Sequence, residues 1–358
     1  MNGSSFRWTR RTKHPSTIQV DVSGLITILL EAATFVGNVL PALAVFFIKK
    51  ARNRTVTDYF VGALAVNDLF SVAIPLGLGI PTLLMGHWVG TKLGCQLYQV
   101  GIFWFQINAM LLVTSMSFDR YLALIKPVYY RRAVLRKIHR VKVLIGILCC
   151  TALVISSMPL MKLANNGIRV PFTYCPCIFI SKASTFQERI YPSFVLILGS
   201  STLVIVFVCN FVVIKVLKDF KGRFPRGSLS FESSCTGRLD RPSVVVFSKL
   251  VFVLGTLFYL TWTPVMVLLL LNQLDQEINE LTAVYALSSL TINSLLHPLV
   301  YGIFSIQFRQ SYWKILRLLV PCLGVHPPCN NRHRHHRMSK RCVLRETLRL
   351  EKTHELAA

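Results

Sequence analysis

The stretch MSFDRYLALIKP, Met116 to Pro127, ends a long apolar run with two opposite charges side by side. A bare arginine in hydrocarbon is costly, so Arg120 needs both the neighbouring Asp119 and a position close to water. The sequence therefore predicts that the apolar run before this pair crosses a membrane and that the pair lies at the membrane surface.

The composition agrees with lipid as the solvent. Of the 358 residues, 53% are hydrophobic and 15% are charged, whereas a soluble domain carries about 25% charged residues. Basic residues outnumber acidic ones by 40 to 15, an excess that suits either nucleic acid or an anionic membrane surface. Because the basic residues flank the apolar segments, we expect membrane lipids as partners and no nucleic acid.

Seven apolar segments are long enough to cross about 30 Å of hydrocarbon, which takes roughly 20 helical residues. They span residues 24–48, 58–85, 94–124, 141–163, 189–217, 244–272 and 280–303. Hydrocarbon offers no partner to backbone N–H and C=O groups, so each segment must be helical. A barrel would show short alternating segments instead. The predicted fold class is an all-α membrane protein built as a bundle of seven transmembrane helices.

The loops set the predicted orientation. Lys and Arg accumulate on the cytoplasmic side of membrane proteins, and most of the 40 basic residues fall in the first, third and fifth loops and in the tail. We therefore expect a multi-pass plasma-membrane protein in four parts. These are an extracellular N-terminus at 1–23, the seven-helix domain at 24–303, an amphipathic membrane-surface helix at 304–320 and a cytoplasmic basic tail at 321–358.

The segment after the seventh helix, FSIQFRQSYWKILRLL, has apolar and basic residues on opposite faces of a helix. It predicts an amphipathic helix on the inner leaflet. Cys322 and Cys329 follow and are candidates for palmitoylation. The ten cysteines lack zinc-site spacing, and we interpret HRHHR in the tail as a basic surface rather than a metal ligand set. No metal site and no cofactor is predicted.

Five motifs, each in its own predicted helix, carry a resemblance to a known family. FVGNVL contains Asn38, GALAVNDLF contains Asp68, the DRY triplet comprises Asp119, Arg120 and Tyr121, TWTP contains Trp262 and Pro264, and NSLLHPLVY contains Asn293, Pro298 and Tyr301. In this order they resemble the motifs of rhodopsin-family G-protein-coupled receptors. The resemblance implies a heterotrimeric G protein as partner, the DRY triplet as the switch that contacts it, and Trp262 as a packed toggle above a hinge at Pro264.

The same resemblance implies further features of the surface. Lys126, Pro127, Tyr129, Arg131 and Arg132 would meet the G protein, whose subtype the sequence does not indicate. Family members often carry an acidic lock at the base of the sixth helix, where this chain has Val244, so we expect ligand-independent signalling.

Two covalent features are also implied outside the membrane. Cys95 and Cys175 would form a disulfide, with Cys177 as the rival partner. Asn2 begins an NGS sequon and is a glycosylation candidate, although a sequon so near the terminus is as readily left unused.

Two ligand classes, amines and retinal, are disfavoured because the chain lacks the residues that bind them. Amine receptors of this family carry an aspartate in the third helix where this chain has Ile102, and opsins need a seventh-helix lysine that is missing here. GHWVGTKLGCQLY and TYCPCIF, with Thr173 as a hydrogen-bonding candidate, resemble segments of prostanoid receptors, particularly those for prostaglandin E2. We therefore expect an extracellular lipid mediator, a prostaglandin, as the ligand, in an apolar pocket with few polar groups.

The chain departs from the prostanoid pattern at several positions. Ser288 replaces the seventh-helix arginine that pairs with the ligand carboxylate, and Leu83 replaces a tyrosine high on the second helix. A buried carboxylate needs a partner, so either a basic residue outside the core supplies it (Arg169, Lys162 or Arg189) or the ligand is not a carboxylate. Glu31 could accept a ligand hydroxyl, pair with a neighbouring helix, or lie in contact with water.

His297 stands before the seventh-helix proline, where the family usually has asparagine and prostanoid receptors aspartate. In the family that residue helps Asp68 hold a sodium ion, and a second position of that site is Ala109 here. A neutral imidazole hydrogen-bonded in the same polar network, or a protonated one that substitutes for the cation, would explain the change. Both alternatives predict agonist binding that is insensitive to sodium.

The sequence leaves two alternatives to a prostaglandin receptor. Within the family, the ligand could be another lipid or a short peptide. A seven-helix enzyme or transporter is disfavoured, because the sequence has no HxxxH, GxSxG or paired intramembrane aspartates and no broken-helix repeat.

Overall fold

The computed structural model describes residues 22–51, 54–74, 77, 91–130, 132, 138–161, 186–222, 241–276 and 280–319. Within these ranges the chain is helical and contains no strand. Eight helices carry the fold: α1 Val22–Leu43, α2 Val56–Ile74, α3 Lys92–Ile125, α4 Ile138–Ser157, α5 Phe186–Gly222, α6 Arg241–Gln273, α7 Glu280–Phe304 and α8 Ile306–Leu319.

The predicted seven-helix membrane fold is confirmed. Six spans in the described residues are long and apolar enough to cross a membrane, and they fall in α1 to α6. A further candidate is the pair Ser288–Phe304 and Ile306–Leu318, which bends by 105° between α7 and α8. The 25 residues of α7 are long enough for one crossing, since about 20 helical residues span the hydrocarbon.

Polar and apolar side chains are distributed as expected for a protein surrounded by lipid. Large apolar side chains point outward, as at Phe47, which is 80% exposed, and Ile197, which is 69% exposed. Polar side chains lie inside, and Asn38, Asp68 and His297 are each 0% exposed. In hydrocarbon this arrangement is favourable, because the polar groups find partners only within the bundle.

Helix α3 forms the centre of the bundle, since it packs against α2, α4, α5 and α6, while α1 packs against α2 and α7. Leu112 and Val113 of α3 share one buried apolar core with Leu64 of α2 and Leu254 and Phe258 of α6. All five are fully buried. This packing fixes α3 as the element against which other helices are positioned.

Irregular turns occur where the sequence disfavours a regular helix. Pro41 lies inside α1, and a π-helical turn, Ala44–Ile48, continues the chain after it. A 3₁₀ turn, Met158–Met161, ends α4 at Pro159. Pro264 and Pro298 lie inside α6 and α7, where a proline removes one backbone hydrogen bond and favours a bend.

A glycine allows close approach of α5 and α6. A Cβ at Gly255 would collide with the side-chain nitrogen of Asn210. Asn210 is 6% exposed, so the two helices pack at a distance that a larger residue at position 255 would disturb.

Helix α8 is amphipathic, as the sequence predicts. Phe308 and Ile315 are buried, whereas Gln307, Arg309 and Lys314 are exposed. Ser305 separates α8 from α7, and its hydroxyl accepts a hydrogen bond from the Phe308 N–H at 3.5 Å. The chain divides into two compact units, residues 1–315 and 316–358; of the second, only the last turn of α8 is described.

Candidate functional site

Asp68 of α2 and His297 of α7 form a buried pair in the middle of the bundle. The carboxylate Oδ2 and the imidazole Nδ1 lie 2.7 Å apart, and both side chains are 0% exposed. A contact this short between two such atoms requires a hydrogen between them, which an ionised Asp68 would accept from the ring. The histidine predicted to join the Asp68 network therefore contacts that carboxylate directly.

Two further residues complete what we call the polar centre, namely Asn38, Asp68, Ser294 and His297. The Ser294 hydroxyl donates to Asp68 Oδ1 at 3.1 Å, and Asn38 Nδ2 donates to the Ser294 carbonyl at 2.9 Å. Asn38 also donates to Thr34 O at 3.0 Å within its own helix. The polar centre thereby ties α1, α2 and α7 together through hydrogen bonds rather than apolar packing.

Several buried polar atoms beside the polar centre have no hydrogen-bond partner among the described residues. They are Asn38 Oδ1, Asn293 Oδ1, His297 Nε2 and the Tyr301 hydroxyl. Unpartnered buried polar atoms are uncommon in folded proteins.

Asp119, Arg120, Tyr130 and Phe247 form a second buried group, which we call the arginine cluster. Arg120 is 6% exposed although α3 ends only five residues later. Its Nε donates to Asp119 Oδ2 at 3.0 Å, and its Nη2 also donates to that oxygen. The predicted pairing of the two charges is therefore present, and burial makes it obligatory, because an unpaired guanidinium would be very costly.

Tyr130 joins the cluster from a single helical turn, Pro127–Tyr130, that follows α3. Its hydroxyl donates to Asp119 Oδ1 at 2.9 Å and accepts from Arg120 Nη2 at 3.2 Å. Burial raises the pKa of the Tyr130 phenol well above its usual range, so the hydroxyl stays protonated and can donate. Sequence reasoning missed Tyr130 and singled out Tyr129, which is 59% exposed.

Phe247 of α6 covers the cluster. The Arg120 Cζ lies 5.1 Å from the centroid of its ring, which is within the range of a cation–π contact. Tyr121, the third residue of the triplet, is partly buried and stacks with Phe118 at 6.2 Å between centroids instead. Val244 lies on α6, but its side chain is outside the described ones.

Trp262, which the resemblance predicts to be a toggle, is buried in the core. It is 3% exposed and lies 5.4 Å from the Phe258 ring, centroid to centroid. Helix α7 contacts α6 next to Trp262, since the Ser289 hydroxyl donates to the Thr261 carbonyl at 2.6 Å. Pro264 follows on α6. A hydroxyl of α7 thus bonds the backbone of α6 beside the predicted hinge.

The ligand candidates are spread over several elements. Ile102 on α3 is partly buried and Ser288 on α7 is exposed, while Glu31 on α1 is partly buried without a hydrogen bond or ion pair among the described residues. Arg189 is engaged elsewhere, since its Nη2 donates to both carboxylate oxygens of Asp275 at 2.8 and 2.9 Å. Other predicted positions lie outside the described residues: Asn2, Leu83, Lys162, Arg169, Thr173, Cys175, Cys177, Cys322 and Cys329, together with the side chain of Cys95.

Four polar contacts that join different helices or their ends were not predicted. Trp104 Nε1 of α3 donates to the Cys149 carbonyl of α4 at 3.0 Å. Asn108 Nδ2 donates to Asn67 Oδ1 at 2.8 Å, between α3 and α2. Lys49 Nζ contacts Asp58 at 2.6 Å and Gln307 at 3.2 Å. All but the Lys49–Asp58 contact join residues more than 40 positions apart in the chain. The available sequence signal was a buried Asn, Trp or Asp within an apolar run.

Comparison with known proteins identifies the family to which these helices belong. The family described as 7 transmembrane receptor (rhodopsin family) matches residues 37–301. Neuropeptides B/W receptor type 2 of Bos taurus is 27% identical over 90% of this chain and 94% of its own length. Neuromedin-U receptor 2 of Mus musculus is 26% identical over 90% of this chain and 79% of its own.

The octopamine receptor of Bombyx mori is 30% identical over 53% of this chain. This chain covers 37% of that relative and 32% of the octopamine receptor of Heliothis virescens. None of these four relatives is named for a prostanoid. The family match at residues 37–301 includes every residue of the polar centre and of the arginine cluster, and the chain belongs to the rhodopsin family of seven-transmembrane receptors.

Proposed function

We propose that this chain is a G-protein-coupled receptor of the plasma membrane, with its N-terminus outside, which binds an extracellular ligand and activates a heterotrimeric G protein. The observation that carries the proposal is the arginine cluster. It holds a guanidinium 6% exposed at the end of α3, where a modest displacement of α6 would uncover it. A buried charge that α6 can either cover or expose has two discrete arrangements, and switches in proteins use elements of this kind.

The path from ligand to G protein runs along α6 and α7 in this proposal. A ligand bound at the opposite end of the bundle from Arg120 would displace Trp262 and bend α6 at Pro264. The α7 contacts at Ser289 and His297 would respond to the same motion, because they bond to α6 and α2. Lys126, Pro127 and Tyr129 are exposed beside the cluster and would meet the G protein together with Arg131 and Arg132.

For the ligand we propose a lipid mediator, with a prostaglandin as the first choice. The resemblance of GHWVGTKLGCQLY and TYCPCIF to prostanoid receptors supports it, as does the lack of any acidic residue in α3 before Asp119. An amine such as octopamine needs a carboxylate partner, and Ile102 supplies none. Ile102, Ser288, Glu31 and Thr173 are the proposed contacts in the pocket.

A prostaglandin carboxylate would pair with Arg169 in this proposal. Arg189 is the weaker candidate, because both Asp275 carboxylate oxygens already accept from its Nη2 and the Gln273 carbonyl accepts from its Nη1 at 3.3 Å. A ligand would have to displace that carboxylate. Replacement of each arginine in turn distinguishes them, since the Arg169→Ala change should weaken a carboxylate ligand more than Arg189→Ala.

A short peptide is the second candidate ligand. The two relatives that cover 90% of this chain are named for neuropeptides B/W and neuromedin-U. Asp275, whose side chain is 52% exposed, would suit a basic peptide better than a fatty acid, once the peptide displaces Arg189 from it.

The ligand proposal is tested by a panel of prostaglandins, other lipids and neuropeptides, scored by cAMP and by calcium in cells that express the chain. We expect a prostaglandin to produce the strongest response. A response to a peptide alone would favour the second candidate, and silence to every prostanoid would remove the ligand proposal while leaving the receptor proposal intact.

A further inference from the structure

The Arg120 guanidinium makes two kinds of contact. Along its edge, Asp119 and Tyr130 accept hydrogen bonds from Nε and Nη2. Its face lies against the Phe247 ring, 5.1 Å from the centroid. A planar guanidinium can use edge and face at once, by hydrogen bonds in the plane and by stacking above it.

The two surfaces belong to different parts of the molecule. Asp119 and Tyr130 lie eleven residues apart on α3 and the turn that follows it, so they move with Arg120. Phe247 lies on α6, which contains no Asp or Glu along its whole length from Arg241 to Gln273. An acidic lock from this helix is therefore impossible, and the aromatic ring is the group of α6 that contacts the Arg120 charge among the described residues.

We propose that Phe247 is a positioning residue that holds α6 over Arg120 and thereby sets how often the receptor opens without ligand. The inference rests on the proposed function and adds to it the regulation of the same site. An outward displacement of α6 removes the ring from the guanidinium but leaves the Asp119 and Tyr130 bonds intact. Of the three groups that contact the guanidinium, only the Phe247 ring is lost in the uncovered state, so this contact biases the two populations.

The proposal changes the expectation drawn from Val244. Without an acidic lock the receptor would be expected to signal freely, whereas the Phe247 ring supplies a partial lock. A cation–π contact favours the covered state by an amount that corresponds to roughly a two- to fivefold change in the ratio of open to covered receptor. Basal signalling should be present but limited.

The experiment measures ligand-independent G-protein activation in cells at matched surface expression. Phe247→Leu keeps an apolar side chain and removes the ring, and we expect basal activity about two- to fivefold above that of the unaltered receptor. Phe247→Trp keeps an aromatic face and should stay close to the unaltered level. Tyr259→Leu is the matched control, because Tyr259 is an aromatic residue of the same helix that is 43% exposed.

A general loosening of the fold would raise activity in both Phe247 variants and lower the melting temperature of both. Basal activity that is equal in the Leu, Trp and unaltered receptors would overturn the proposal, as would a rise in Phe247→Trp as large as in Phe247→Leu. If Phe247→Leu fails to reach the surface, Phe247→Met provides a second side chain without a ring. The outcomes expected for Phe247→Leu apply equally to Phe247→Met.

Failure of this inference can be told apart from failure of the proposed function. Activity that Arg120→Ala abolishes and Phe247→Leu leaves unchanged removes the inference alone. If none of the receptors, with or without the ligand panel, activates any G protein, the proposed function fails as well.

Discussion

Replacement of His297 by alanine should destabilise the receptor measurably, because it leaves a carboxylate without its main partner. Asp68 and His297 are both fully buried and lie 2.7 Å apart. Breaking a buried pair by removing one partner costs about 3–5 kcal/mol. The Ser294 hydroxyl still donates to Asp68 at 3.1 Å, so we expect the lower end of that range, about 3 kcal/mol.

The assay is thermal unfolding of the purified receptor in detergent, compared at one scan rate because such unfolding is often irreversible. At about 2–4 °C per kcal/mol for domains somewhat smaller than this one, His297→Ala should lower the melting temperature by roughly 6–12 °C. Asp68→Asn in the His297→Ala background should recover part of the loss, since it removes the unpaired charge.

Val213→Ala is the control. Val213 is 1% exposed on α5, so its truncation leaves a cavity without an unpaired charge. Its effect should add to that of Asp68→Asn, whereas His297→Ala should be non-additive with it. The reasoning is refuted if His297→Ala melts with the unaltered receptor, or if the His297→Ala, Asp68→Asn double variant is less stable than either single change.

The remaining predictions concern ions and individual contacts. Sodium and choline chloride at equal ionic strength should give the same melting temperature, because His297 already takes Asp68 Oδ2; stabilisation by sodium that Asp68→Asn abolishes would contradict this. Trp104→Phe should cost about 0.5–1.5 kcal/mol through loss of the bond to the Cys149 carbonyl, while Trp313→Phe, at a residue 43% exposed, should cost less. Asp275→Asn should change stability by under about 1 kcal/mol, since the pair with Arg189 is 35% and 52% exposed and screened by water.

Helix positions were largely predictable from the sequence, because every crossing of the hydrocarbon needs about 20 mostly apolar residues in a helix. The prediction of 94–124 for the third span compares with Lys92–Ile125 for α3, and 280–303 for the seventh compares with Glu280–Phe304. In the second span the prediction reaches residue 85; α2 is described as far as Ile74, and almost all of residues 75–85 lie outside the described part of the chain.

The partners of individual polar residues were only partly predictable. The motifs placed Asp68 and His297 in one network, and the structure joins them directly. Tyr130 and Phe247 carry no such signal, since a tyrosine after a span and a phenylalanine within one are common in membrane proteins. Their contacts with Arg120 depend on how α3, its following turn and α6 pack, which single-sequence patterns do not encode.

The central claim is that Arg120, held covered in this structure, becomes the group that activates a G protein. The most direct measurement is GDP–GTP exchange on a panel of purified G proteins, with the receptor reconstituted in lipid. The account predicts that the unaltered receptor accelerates exchange on at least one of them, that Phe247→Leu accelerates it further, and that Arg120→Ala abolishes it. Exchange that is equally fast with Arg120→Ala would contradict the claim.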